Sequence, residues 1–280
     1  MRRAYYAAVS HTDAQIGRVL AALAETGLRN NTVVCIFADH GWSLGEHGEW
    51  AKHTNFELDV HAPWILSLPH PALPRPEATS RPNNMVSLYT EHVDIMPTLL
   101  EAAAGVVLPP CQANSSANLC TMGRSRVGLL DGTPSALSRA EIEMLMASED
   151  NAAFSQYERP YAGANGSSPV LNTSWCALGS GEGGDAACTV GYSMVGLYSG
   201  SDEELHGEYR YTEWVGFNTA QAPRRRDWND NAGTELYRHQ NSTMELVNLA
   251  EDQKYAVVRL DFSRRLRKGP PTSGWGLPPS

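Results

Sequence analysis

Val33-Val34-Cys35-Ile36-Phe37-Ala38-Asp39-His40-Gly41-Trp42-Ser43-Leu44-Gly45-Glu46-His47-Gly48-Glu49-Trp50-Ala51-Lys52 is the stretch whose reading decides the fold. Its first six residues are a short β-branched and aromatic run, the pattern of a strand buried on both faces. The polar residues start abruptly at Asp39. In open α/β sheets, ligands gather beyond the carboxyl ends of such strands. A carboxylate, imidazoles and a lysine at that end read as half of an active site. The competing reading for Asp39 is a turn cap, and for Lys52 an ordinary surface lysine.

The flanks support an α/β arrangement. From Tyr5 to Thr26 apolar residues recur at Ala8, Val9, Ala14, Ile16, Val19, Leu20 and Leu23, close to a 3.6-residue period, and Gly27 stands where a helix stops. Beyond the motif, His61 to Pro69 reads as a strand bounded by prolines, and Val86 to Tyr89 as a further short one. Glu91 to Ala102 is helical in pattern, with Pro97 marking where a second helix begins. Pro109 to Gly191 is rich in Gly, Ser, Asn and Pro, and Ser138 to Ser148 is its one helix candidate. Val190 to Tyr198, Glu208 to Phe217 and Thr234 to Tyr237 then read as antiparallel strands, followed by a helix near Gln253 to Leu266.

Composition narrows the class. A chain of 280 residues with 42% hydrophobic and 19% charged content has enough apolar matter for a real core. A net charge of -9 argues against general nucleic-acid binding, and the clusters Arg224-Arg225-Arg226 and Arg264-Arg265-Leu266-Arg267-Lys268 read as solvated surface. No apolar run approaches the roughly 20 residues that span a bilayer, and no signal-type segment leads the chain.

Cysteines and sequons point to a secretory route. Asn30, Asn114, Asn165, Asn172 and Asn241 each begin an Asn-x-Ser/Thr sequence. Cys111 and Cys120 flank a polar loop that a disulfide would close, Cys176 and Cys188 bracket a Gly-rich loop, and Cys35 sits alone in the strand run. Five free thiols in a reducing compartment is the alternative.

Taken in order, several segments resemble the sulfatase family of the alkaline phosphatase superfamily, in its iduronate 2-sulfatase branch. They are Ala4 to Ser10 with Gln15-Ile16-Gly17-Arg18, Asp39 through Phe56, Val93-Asp94-Ile95-Met96-Pro97-Thr98-Leu99-Leu100, Phe154-Ser155-Gln156-Tyr157, Gly191-Tyr192-Ser193-Met194, Tyr209 to Trp214, Glu235-Leu236-Tyr237 and Asn248-Leu249-Ala250. The resemblance implies an α/β fold: part of an alkaline-phosphatase-like mixed sheet flanked by helices over 1–108, a loop-rich connection over 109–190, and a smaller C-terminal α+β subdomain with an antiparallel sheet over 191–280. It implies sulfuric ester hydrolysis on a sulfated carbohydrate or another sulfate ester. Asp39 and His40 are then ligands of a calcium ion, and Lys52 is the catalytic cation on the sulfate oxygens. Trp42, Glu46, His47 and His53 stand as candidates for lining the substrate pocket or orienting those ligands. Lysosomal or secreted location follows from the same likeness.

The chain also departs from the family. Sulfatases carry an Asp-Asp metal pair and a Cys-x-Pro-Ser-Arg motif whose cysteine a formylglycine-generating enzyme converts to the formylglycine nucleophile. Neither motif occurs here, since Cys111 precedes Gln112-Ala113-Asn114 and Cys120 precedes Thr121-Met122-Gly123. The expectation is an inactive C-terminal fragment of such an enzyme. Two alternatives stay open. A two-zinc phosphodiesterase or phosphomonoesterase of the same superfamily would suit imidazole better than calcium does. A non-catalytic, sulfatase-like binding or scaffold protein would keep the pocket without turnover.

Overall fold

A computed structural model describes residues 1–69, 88–111, 119–130, 137–160, 187–218, 225–240 and 242–270. In chain order these form α1 (Arg2–Glu25), β1 (Val34–Phe37), β2 (Ser43–Leu44), β3 (Trp50–Ala51), α2 (Glu57–Val60), β4 (Trp64–Ser67), α3 (Ile95–Ala104), α4 (Arg139–Ala147), β5 (Ala152–Pro160), β6 (Ala187–Tyr198), β7 (Gly207–Asn218), β8 (Arg225–Arg238) and α5 (Ala256–Lys268). Helices and strands of both units make this an α/β chain. The compact units are 1–52 with 61–146, and 53–60 with 147–280, a different division from the boundaries at 108 and 190 read from sequence.

In the first unit α1 ends at Glu25, and Gly27 follows with φ of 72°, a left-handed conformation that glycine adopts without a Cβ clash. β1 pairs antiparallel with β4, Val34 opposite Ser67 and Phe37 opposite Trp64. The expectation of a strand buried on both faces is corrected. Among the described residues β1 has this single neighbour, its burial is intermediate, and Phe37 is 52% exposed. Pro97 lies in the first turn of α3, where its missing N–H removes no helical bond. Of the proposed strand Val86 to Tyr89, the first two residues lie outside the described residues, and Leu88 and Tyr89 are not in a strand.

Buried Asp94 fixes the start of α3. Its carboxylate accepts from Arg126 Nε and Nη2 at 2.9 and 2.7 Å, from the Arg124 amide at 2.7 Å and from the Glu91 amide at 3.1 Å. That bidentate guanidinium fork draws the 123–127 loop against the chain at residue 93. The approach is so close that a Cβ on Gly123 would lie 1.9 Å from the Val93 carbonyl oxygen. Cys111 and Cys120 form a disulfide in this unit, and Cys35 is free. Of Cys176 and Cys188, the first lies outside the described residues and the second is in the strand at Ala187–Tyr198.

The second unit is a four-stranded antiparallel sheet in the order β5-β6-β7-β8 with α5 against it. On one face Val190, Tyr192 and Met194 of β6 and Tyr209, Tyr211 and Val215 of β7 alternate inward at period two. They meet Val258, Phe262 and Leu266 of α5, spaced by four and wholly buried. Each of those three contributes about 1.5–3 kcal/mol by leaving water. The opposite face carries buried Arg210 and Thr212, with Thr212 donating to Ser193 Oγ at 2.9 Å. Both faces are therefore covered.

Candidate active site

Asp39 follows β1 at its carboxyl end, and the hairpin of β2 and β3 returns the chain so that Lys52 meets His40. The turn is tight: Gly45 and Gly48 have φ of 110° and 75°. His47, Ala51 and His53 also adopt positive φ, of 54°, 78° and 94°. Non-glycine residues resist that region, and a cluster of them is the strain pattern of functional loops. Two of the three flank Lys52 directly.

The side chains converge on one atom. His40 Nδ1 donates to the Gly41 carbonyl at 2.7 Å, which leaves the lone pair of the neutral ring on Nε2. Asp39 Oδ2 lies 3.2 Å from that Nε2, and Lys52 Nζ donates to it. A lone pair and a carboxylate oxygen at such a distance repel unless a cation lies beside them, and the Lys52 ammonium lies against Nε2. Two ligand atoms on one calcium ion lie about 3.4 Å apart at bond lengths near 2.4 Å. The Asp39–His40 pair has that spacing, and its Nε2 lone pair is open to an ion once Lys52 turns to another acceptor; Asp39 is 80% exposed and His40 27% exposed.

Trp42 stacks on His40, ring centroids 6.3 Å apart with 29° between planes. Glu46 turns to the backbone, accepting from the Leu44 amide, and lies 3.6 Å from Arg2. Bonds from the backbone amides of Glu46 and Leu44, helped by Arg2, hold its carboxyl below the usual range. His47 sits in the tight turn, and His53 lies 6.0 Å from Tyr157 by ring centroids. His92 donates from Nε2 to the Ala38 carbonyl at 2.8 Å. That bond tethers the strand end that carries Asp39.

Residues 1–106 match the family model described as Sulfatase. Iduronate 2-sulfatase of Homo sapiens is 32% identical over 240 residues, which cover 78% of this chain and 38% of that protein. Iduronate 2-sulfatase of Mus musculus is 29% identical over 277 residues, 91% of this chain and 45% of that one. An arylsulfatase of Clostridium perfringens is 35% identical over 102 residues, 36% of this chain and 20% of its own. The chain belongs to the sulfatase family. It spans less than half the length of the two iduronate 2-sulfatases it matches.

Two features of this sulfatase chain escaped the sequence reading. Arg2 and Tyr5, three apart on one face of α1, both touch the motif loop: Arg2 Nε donates to the Leu44 carbonyl at 2.8 Å, and Tyr5 stacks on Trp42 with centroids 6.0 Å apart and 30° between planes. Their i, i+3 spacing was the available signal. The second feature is a buried charge cluster in the other unit. Glu57, His239 and Glu245 bring ligand atoms within 4.8 Å of one another, but the Arg210 guanidinium lies among them, binding Glu57 and, at 2.7 Å, Glu245. His239 joins Glu245 and Glu208, each at 2.7 Å. Protein cations already neutralise these carboxylates, so the cluster is an ion network and not a metal site.

Proposed function

We propose that this chain supplies the metal-and-lysine side of a site that hydrolyses sulfate esters, with a sulfated sugar as the substrate class. The observation that carries the reading is the meeting of Asp39 Oδ2, His40 Nε2 and Lys52 Nζ on one spot beyond β1. Sulfate oxygens repel an incoming nucleophile, so hydrolysis needs fixed positive charge that strengthens its hold as the ester bond breaks. Lys52 brings a compact ammonium to those oxygens. Asp39 and His40 would hold a calcium ion, which when bound polarises the sulfate as a Lewis acid. Carboxylate and neutral imidazole with a fixed tautomer orient the site before substrate arrives.

The likeness to two iduronate 2-sulfatases supports the substrate class. The nucleophile belongs, in this reading, to a Cys-x-Pro-Ser-Arg segment matured to formylglycine, which is not in this sequence. The disulfide Cys111–Cys120 and the exposed sequon at Asn30 support a secretory route, lysosomal or extracellular.

The test has two stages. Titration calorimetry of this chain with calcium should show binding that Asp39→Ala abolishes, with no sulfate release from 4-nitrocatechol sulfate. In a protein joining this chain to the Cys-x-Pro-Ser-Arg segment, co-expressed with a formylglycine-generating enzyme, release should appear. Asp39→Ala and Lys52→Ala should each cut it by about a hundredfold or more, the scale of losing one preorganised charge. Near-normal turnover in either variant removes that residue from the site. Phosphodiester cleavage that requires zinc, with no sulfate release, would replace the sulfatase reading with the two-zinc alternative.

A further inference from the structure

α1 contributes no buried side chain, yet its first turn reaches into the motif loop. Tyr5, Trp42 and His40 form a continuous stack, with neighbouring planes inclined by 30° and 29°. Arg2 grips the same loop, donating to the Leu44 carbonyl and facing Glu46. We propose that Tyr5 is a positioning residue for His40: through Trp42 it fixes the imidazole plane in which Nδ1 serves the Gly41 carbonyl and Nε2 faces Asp39 and Lys52. This inference rests on the reading of Asp39 and His40 as a cation site.

The physical case is one of rotational freedom. The imidazole turns about a soft, two-fold terminal torsion, and its two bonds go to the carbonyl of the adjacent residue and to the tip of a long lysine. A half-turn would put Cδ2 and Cε1 where Nδ1 and Nε2 stand, and the bonds with Gly41 and Lys52 oppose it; smaller rotations tilt the ring out of line with both. A ring stacked on one face opposes those tilts, provided the stacking ring is itself held. Trp42 is 39% exposed, so packing alone does not hold it. Tyr5 stacked on it does, from a helix whose first turn Arg2 fastens to the hairpin. Tyr5 acts with its ring, not its hydroxyl.

Terbium(III), a luminescent stand-in for calcium, measures the site's affinity, and ring 15N NMR of His40 reports its tautomer without any metal. Tyr5→Ala should weaken terbium binding about three- to tenfold, the range expected from one aromatic pair, and should replace the single His40 tautomer by a mixture. Tyr5→Phe should restore both. Trp42→Leu removes the stack from the loop side and should reproduce Tyr5→Ala, so it decides the matter if that variant fails to fold. Wild-type affinity and tautomer in Tyr5→Ala overturn the proposal, as does a Tyr5→Phe as defective as Tyr5→Ala. If Asp39→Ala binds terbium as tightly as wild type, the cation site fails instead, and the tautomer measurement still judges Tyr5.

Discussion

His239 shows how much one residue's surroundings decide. Burial pushes its imidazole toward neutrality, but hydrogen bonds to Glu208 and Glu245 outweigh burial, and with Arg210 opposing they raise its pKa from 6.5 to about 9. Because the folded value lies above the unfolded one, the gain is fully present below about pH 6.5 and fades as pH rises through 9. His239→Gln should therefore lose on the order of 3 kcal/mol of stability at pH 6 and converge on wild type near pH 10. Urea melts of both proteins across that range check it; a constant gap would show that the charge is not the cause. The contrast with Asp39, His40 and Lys52 explains what the sequence makes legible at this scale. Those three lie within 14 consecutive residues, and a strand run announces them. His239 and its partners come from residues 57, 208, 210 and 245, far apart in the chain, and Glu208 with Arg210 reads as ordinary strand polarity. Distance in sequence hid the network, as it hid Tyr5 from Trp42.

At the scale of elements, helices and strands with their own periodicity were legible: α1, α3, β6, β7 and α5 fall within a few residues of where patterning places them. Others were not, among them the short β2 and β3, β5 and the first half of β8. β5 was read as loop, since it follows and precedes Gly-, Ser- and Asn-rich sequence; pairing with β6 from Ala152↔Gly196 to Pro160↔Cys188 makes it a strand. The first half of β8, Arg226-Asp227-Trp228-Asn229-Asp230-Asn231-Ala232-Gly233, has turn composition, and β7 draws it into the sheet with register shifts at Trp214/Val215 and Val215/Gly216. Tertiary pairing overrode local propensity, and bulges absorbed the misfit. What fastens segment 53–60 to this sheet is charge. Arg210 of β7 holds Glu57 of α2 and Glu245, whose Oε2 also accepts from the Glu57 amide at 2.7 Å. Arg210→Met leaves those buried carboxylates without their guanidinium and should cost about 3–5 kcal/mol. Arg210→Met combined with Glu57→Gln should recover part of that loss, because an uncompensated charge is then gone. A thermal melt in which the double variant is no better than the single would put the cost in packing instead.

Across the whole molecule the two units bury apolar surface very unequally. The second unit has a contiguous core in which Met194, Tyr209, Val215, Leu236, Val258, Phe262 and Leu266 are inaccessible to water. In the first, the described core cluster is Leu88, Leu129 and Ile142, while Val19, Phe37, Ile65 and Met96 are each more than half exposed. A groove of about 670 Å³ between Phe37, Asp39, His92 and one side of α3 is lined almost wholly by apolar atoms. Local stability follows buried contacts, so amide protection should differ by unit. Hydrogen exchange should retain protons in β6, β7 and α5 for orders of magnitude longer than in β1, β4 and α1. Exposed apolar patches of this kind also drive self-association. Dynamic light scattering should then show this chain growing beyond a monomer as concentration rises, with mild detergent reversing the growth. Uniform protection with a concentration-independent monomer would mean that the exposed faces of β1, β4 and α3 are closed in solution, and that the strand end bearing Asp39 is as firmly held as the core of the second unit.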